Sequence, residues 1–341
     1  MQNMGKHVKL GLIGAGRAGM IHALNFRSRI KHADLVAVVD PFEDAAKAAC
    51  AELEIDKYYL DFKQALEDSG IDAFVVVSPT KFHRDIVVAC AKAGKHVLCE
   101  KPMAMVESEC DDMIAAAAEN NIKLQLGFMR RFDESFRQAK EALDRGDIGD
   151  LIMVKSNTRG PSKPMEWMYD LAKSNGVLAE LNSHDIDTIR WFAGSELASV
   201  YAIGGNYKNP EAAEKYPDYY DTVIMTGTFA NGKQACIDGA AYSQYGYDAR
   251  VELLGTEGLI HIGRSDAYHM KVIKKDKSVT SAFVDSWRTL YKDAYVAEDQ
   301  SFVNSILEDK EPEVTGIDGK MAVKVVRAGN TSILEKRIVT L

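Results

Sequence analysis

Three short stretches hold residue types that could carry chemistry. The first is Gly14-Ala-Gly16-Arg17-Ala18-Gly19, which follows the apolar run Val8–Ile13 and opens a helical stretch near Ala18. In that setting Gly14 permits a tight turn, Gly16 lets a pyrophosphate approach the backbone, and Gly19 lets the helix pack on the strand. Arg17 and Ala18 then lie where the helix start offers unpaired N–H groups and positive dipole to phosphates. Asp40 ends the second apolar run about 20 residues farther on, where a carboxylate accepts from both ribose hydroxyls. It also repels a 2′-phosphate, and Pro41-Phe42-Glu43 supply no cation to hold one. NAD is favoured over NADP. The glycines alone leave an S-adenosylmethionine enzyme open, or a plain Gly-rich turn beside an exposed aspartate.

The second stretch is Glu100-Lys101-Pro102, at the end of the apolar run His96–Cys99. Proline biases Lys101 away from helical dihedrals and makes a turn at the carboxyl end of a strand, the edge where open α/β sheets bind ligands. A lysine there could face a nicotinamide and stabilise a developing alkoxide; it could equally be an ordinary surface lysine before a turn. Ser78, Thr80 and His83 follow the fourth apolar run, towards the expected nicotinamide side, although His83 equally fits a role in its own helix. The third stretch runs from Glu180 to Trp191. Positions 180, 184, 187 and 191 share one helical stripe, so Glu180 reaches His184 across one turn and Asp187 approaches it from the next. A histidine with a free pKa near ~6.5 suits general-base work, and a neighbouring carboxylate would orient it. The competing reading is a solvated helix face with a histidine between acids. His22, one turn into the first helix, reads as structural. No set of His, Cys and acidic residues has metal-ligand spacing, and no GxSxG nucleophile motif appears.

The elements that must position these residues alternate in the first third of the chain. Strand-like runs at Val8–Ile13, Leu35–Val39, Ala73–Val77, His96–Cys99 and Lys123–Gly127 are separated by helical stretches. That rhythm predicts βαβ units and a parallel, doubly wound Rossmann sheet, with continuous apolar strands covered on both faces. After Gly127 the rhythm changes. A helix near 133–145 leads to a strand near 151–157 and a single long helix near Leu178–Phe192. Five or six strands follow between Ala198 and Ile273, then helices near Tyr295–Glu308 and Gly319–Glu335. Adjacent strands without intervening helices predict an α+β domain with a large, open, mixed or antiparallel sheet. The fold class expected is therefore α/β, with a cofactor domain at 1–126 and a substrate and oligomerisation domain at 127–341.

The 341 residues carry 46% hydrophobic and 27% charged side chains, the composition of a globular chain of about two domains. A net charge of −8 repels phosphate backbones and anionic lipid, so neither nucleic acid nor membrane is an expected partner. No apolar run reaches about 18 residues, and Met1–Leu10 lacks the apolar core of a signal peptide. Five scattered cysteines without CxxC spacing read as reduced thiols in a cytoplasmic protein.

Taken together, Gly11–Gly19, Ser78-Pro-Thr-Lys-Phe-His83, Glu100-Lys101-Pro102, Gly127–Asp133, His184-Asp-Ile-Asp187 and Ala294-Tyr-Val-Ala-Glu298 give the chain a family likeness along nearly its whole length. It resembles the glucose–fructose oxidoreductase, inositol dehydrogenase and rhizopine catabolism family (Gfo/Idh/MocA). Gly127–Asp133 and Tyr245-Gly-Tyr-Asp248 look most like the inositol dehydrogenase branch. The resemblance implies Lys101 and His184 as catalytic residues, and Arg130 and Tyr245 beside the substrate. It also implies dimers or tetramers built through the second-domain sheet. One position departs from the pattern: inositol dehydrogenases usually carry aspartate four residues before the histidine, and this chain has Glu180. The expected reaction is NAD-dependent oxidation of a secondary alcohol on a neutral cyclitol or sugar ring, with Glu180 beside His184. A sugar or glycoside (C3) dehydrogenase or ketosugar reductase of the same family stays open, as does a non-catalytic NAD-binding redox sensor.

Overall fold

The computed structural model describes residues 7–263 and 266–341. Met1–Lys6, part of the stretch read for a leader, lies outside the described residues. The chain divides into two compact units, one of residues up to Phe132 with Asp293–Met321, the other of Asp133–Lys292 with Ala322–Leu341.

In the first unit the strands are β1 (Val8–Ile13), β2 (Ala33–Val39), β3 (Tyr58–Tyr59), β4 (Ala73–Val76), β5 (His96–Glu100) and β6 (Leu124–Gly127). They form one sheet in the order β3-β2-β1-β4-β5-β6, parallel throughout. The helices between them are α1 (Gly19–Ser28), α2 (Glu43–Leu53), α3 (Phe62–Leu66), α4 (His83–Lys92) and α5 (Glu107–Glu119). Every residue of β4 and β6 is buried, as strands covered by helices on both faces require. The register aligns Val39, Ile13, Val76, Cys99 and Leu126 in one row. The loops that leave this row carry Gly14–Gly19, Asp40, Ser78–His83, Glu100–Pro102 and Arg130. The motifs read separately along the chain therefore share one sheet edge.

The second unit begins with α6 (Glu134–Asp144) and β7 (Leu151–Arg159), followed by α7 (Leu171–Ser174), α8 (Gly176–Glu180) and α9 (Ser183–Ala193). Its further strands are β8 (Leu197–Gly205), β9 (Thr222–Phe229), β10 (Gln234–Ala240), β11 (Asp248–Gly255), β12 (Leu259–Ile262), the β13–β14 hairpin (Asp266–Ile273, Val279–Phe283) and β15 (Val339–Thr340). Seven of them form one sheet, ordered β12-β11-β7-β10-β9-β8-β15, in which β7 and β10 are parallel and all other neighbours antiparallel. The sheet is mixed. Helix α9 packs on β7 and β10, over their buried Val154, Ser156, Thr158, Ala235, Ile237 and Gly239. On the opposite face Ile152, Tyr201, Ile203 and Ile224 are exposed.

Three features differ from the sequence reading. The long helix expected near Leu178–Phe192 is two helices, broken at Leu181–Asn182. Glu180 and His184 therefore belong to different helices and do not share a helical stripe. The chain also closes with α10 (Trp287–Leu290), α11 (Lys292–Leu307) and α12 (Gly316–Glu335), and α11 returns to the first unit. Its Phe302 and Val303 join the core formed by β1, α1 and β2. A single cut at residue 126 does not describe this arrangement. The third is β3, a two-residue strand too short to give a periodic signal.

Candidate active site

The loop after β1 is shaped for a close visitor. Gly14 has φ +99°, a left-handed conformation, and a Cβ there would press on the Val77 carbonyl. A Cβ on Gly19 would overlap the Gly14 carbonyl oxygen, whereas one on Gly16 would meet nothing within 4 Å. Two glycines thus serve packing, and the middle one borders open space. At the start of α1 the Met20 N–H donates to the Gly16 carbonyl and the Ile21 N–H to that of Ala18, each at 3.0 Å. Arg17 beside them is exposed. Asp40 is fixed by its own neighbours: Oδ2 accepts from the Ala15 N–H at 3.0 Å and Oδ1 from the Phe42 N–H at 3.0 Å. A carboxylate offers about four lone-pair sites, so this one is held in place with capacity left for a diol. These residues fit an NAD molecule lying across the edge.

The turns after β4 and β5 meet at His83. His83 Nε2 lies 2.7 Å from the Ser78 carbonyl oxygen and Nδ1 lies 3.0 Å from that of Pro102. The ring is buried, and burial pushes its pKa below the ordinary imidazole value. A neutral ring donates to only one of these carbonyls, so His83 is packed between the two loops and hydrogen-bonds one of them. Ser78 Oγ is buried with no protein partner, and Thr80 opens a short 3₁₀ turn. Lys101 joins Pro102 through a cis peptide, and its N–H donates to Glu100 Oε2 at 2.9 Å. Glu100 is buried, and its other oxygen lies 3.1 Å from His22 Nε2. The Glu100 carboxylate is thus spent inside the fold, on the turn that carries Lys101. Arg130, which could have been surface charge after a strand, is only 1% exposed. Next to it, Arg131 is bridged to Asp318 at 2.7 Å.

In the second unit the break before α9 sets the place of His184. Asn182 Nδ2 donates to Asp185 Oδ2 at 2.7 Å and to the Asp238 carbonyl of β10 at 3.4 Å. Asp185 Oδ1 accepts from Ser156 Oγ of β7. Gly239 provides the room, because a Cβ there would overlap the Asn182 amide. The first turn of α9 is therefore pinned to two strands on either side of His184, which is 7% exposed. Glu180, half-buried, ends α8 just before the break. Asp187 lies 3.6 Å from Arg190, which is itself held in a bidentate pair by Glu196. Tyr245 lies in the loop before β11 and is 43% exposed; its hydroxyl donates to Asp248 at 3.1 Å. Two Arg250 nitrogens reach the same carboxylate at 2.7 and 2.9 Å.

Residues 8–128 match the family described as an oxidoreductase family with an NAD-binding Rossmann fold, and residues 136–261 match the GFO/IDH/MocA C-terminal domain. The chain belongs to the Gfo/Idh/MocA family. Its first unit is the NAD-binding Rossmann domain. This family member is 34% identical to the myo-inositol 2-dehydrogenase of Thermotoga maritima, over 98% of each chain. It is 33% identical to the scyllo-inositol 2-dehydrogenase (NAD(+)) of Bacillus subtilis, over 96% of this chain and 95% of the other. Its fold superposes with a TM-score of 0.92 on scyllo-inositol dehydrogenase from Lactobacillus casei with bound NAD(H) and scyllo-inositol, at 31% identity and covering 98% and 99% of the two chains. Among the described residues, no helix is long and apolar enough to cross a membrane.

Several supporting residues of this Gfo/Idh/MocA protein carried no assignment in the sequence. Asn182 and Asp185 look like ordinary helix polars until Asp238 and Ser156 are brought beside them. Glu298 and Asp299 are fully buried, and with His22 they bring three possible ligand atoms within 4.8 Å of one another. Both His22 nitrogens already face carboxylates, at 2.6 and 3.1 Å, so the ring is engaged by hydrogen bonds. The available signal was two acids beside the apolar positions of a helix that also supplies Phe302 to the core.

Proposed function

We propose that this protein oxidises a secondary alcohol on a neutral cyclitol ring with NAD as acceptor, as an inositol 2-dehydrogenase. The observation that carries the reading is likeness over whole chains to dehydrogenases of myo- and scyllo-inositol, combined with an Asp40 held ready for a ribose diol. The bound NAD supplies the acceptor for the ring hydride. The protein must orient the ring and manage the hydroxyl proton. We assign the proton to His184, whose helix turn is fixed to β7 and β10, and stabilisation of the developing alkoxide to Lys101. Glu180 is assigned to hold a ring hydroxyl and support His184, with Arg130 and Tyr245 lining the substrate side. Ser78, Thr80 and the Arg17–Ala18 corner are assigned to the cofactor. His83 and Glu100 support it through the loops they contact.

The chain's acidic balance and the absence of an obvious anion clamp among Lys101, Arg130, Glu180 and His184 support a neutral polyol rather than a sugar phosphate. Tyr201, Ile203 and Ile224 on the open sheet face support assembly as a homodimer or homotetramer through that sheet. Five unpaired cysteines, four of them buried, support a reducing cytoplasm. An NADH-absorbance screen over inositol isomers, hexoses, pentoses, glycosides and sugar phosphates tests the reading. Turnover should be best with myo- or scyllo-inositol. Activity confined to a glycoside or a sugar phosphate would replace it, and NAD binding with no turnover on any polyol would favour a redox sensor.

A further inference from the structure

A cluster of ionisable groups lies inside the first unit, beneath the turn that carries Lys101. His22 of α1 is fully buried, with Nδ1 2.6 Å from Asp299 Oδ1 of α11 and Nε2 3.1 Å from Glu100 Oε1 of β5. Asp299 is steadied by Asn25, whose amide donates to Oδ2 at 2.9 Å, and the ring of Tyr295 meets the imidazole edge-on at 5.3 Å. The remaining oxygen of Glu100 accepts the Lys101 N–H at 2.9 Å. A chain of contacts thus runs from α11 through α1 to the Lys101 backbone. We propose that His22 is a positioning residue for Lys101: by bridging Asp299 and Glu100, it fixes the carboxylate that receives the Lys101 N–H. The inference rests on the assignment of Lys101 to alkoxide stabilisation.

With Asp299 and Glu100 both ionised the bridge needs both ring nitrogens as donors, which makes the ring imidazolium; burial raises the Asp299 carboxyl and the facing His22 opposes that rise. Burial opposes that charge, yet Asp299 and Glu100 overcome it and hold His22 well above its usual value. Glu298, the fourth titratable group facing the ring, is fully buried with neither carboxyl oxygen hydrogen-bonded to protein. Burial, reinforced by Glu100, pushes it well above the carboxylate range, which favours its neutral form. In that state the cluster sets one cation against two anions. Removing the cation leaves Glu100 buried without its charged partner, free to turn from Lys101. A small displacement of a reacting group is enough to cost about 10²-fold in rate.

The test uses the NAD-bound protein with 15N-labelled histidine. The His22 ring should show the imidazolium signature at about pH 8, well above the value of a free imidazole. In turnover, His22→Gln should lower kcat about 10- to 100-fold while KM for NAD changes little. Asp299→Asn keeps the shape and weakens the hold on the proton. The ratio of its kcat to that of wild type should therefore rise as pH falls from about 9 to about 6. A neutral His22 at about pH 8, a stoichiometric metal ion in the purified protein, or a kcat ratio independent of pH would overturn the inference. If Lys101→Ala collapses kcat and His22→Gln does not, the inference fails alone. If Lys101→Ala turns over normally, the assignment of Lys101 fails first.

Discussion

Each oxygen of the Asp40 carboxylate already accepts one backbone N–H, from Ala15 and from Phe42. The side chain that would hold the ribose therefore also shapes the glycine loop beside it. Losing a charge-assisted pair of bonds costs about 1.5–3 kcal/mol, or about 10–150-fold. Asp40→Ala should weaken NAD in that range by NADH-fluorescence titration, and Asp40→Asn, which keeps one acceptor for the loop, should weaken it less. His184→Ala and Lys101→Ala should each reduce kcat by about 10²–10⁴-fold with NAD binding little changed, because neither is assigned to the adenosine or the phosphates. Single-turnover rates beside binding titrations separate the two effects. These candidates were legible because each residue stands in a local motif. The duties of Glu100 and His83 were not, since their partners are 78 and 19 residues distant, at His22 and Pro102.

The helix break before α9 is the element that sets the place of His184. Both sides of it satisfy a 3.6-residue period, so Glu180 to Trp191 reads as one stripe in the sequence. The interruption comes from Asn182, whose amide is drawn to the Asp238 carbonyl of β10 across a glycine that makes room. No local signal carries that information. Replacing Asn182 by alanine leaves Asp185 buried with one partner fewer, a loss of about 1–3 kcal/mol. Urea unfolding should show it, and kcat should fall along with stability because the first turn of α9 also carries His184. Gly239→Ala attacks the same contact from the strand and should reproduce both effects. The parallel sheet, by contrast, was plain in the sequence. Its strands are apolar runs between helical stretches, and their burial on both faces leaves no alternation to confuse them.

For the whole molecule, two pH dependences follow from opposite shifts. His22 is raised in the folded state, so its contribution to stability is complete below about 6.5, the free imidazole value, and is lost as pH rises through the folded value. Denaturant unfolding in an alkaline series should show wild type losing free energy that His22→Gln no longer has to lose. Asp68 behaves in the other sense: Lys57, the Gly70 N–H and Tyr59 pull it down to about 2. Its contribution is complete above the ordinary 3.8 and disappears as pH falls towards about 2. The return of α11 to the first unit joins sequence-distant segments, and no periodicity announces it. The exposed apolar residues of the open sheet make assembly testable: Ile203→Asp with Ile224→Asp should lower the mass found by light scattering if that face is the interface. The central claim is transfer of a ring hydrogen to NAD. Inositol deuterated at the oxidised carbon should turn over with a slowed chemical step, and mass spectrometry should find the deuterium in the reduced cofactor. Reduced cofactor without deuterium, or deuterated inositol recovered untouched while other sugars are consumed, would contradict the account.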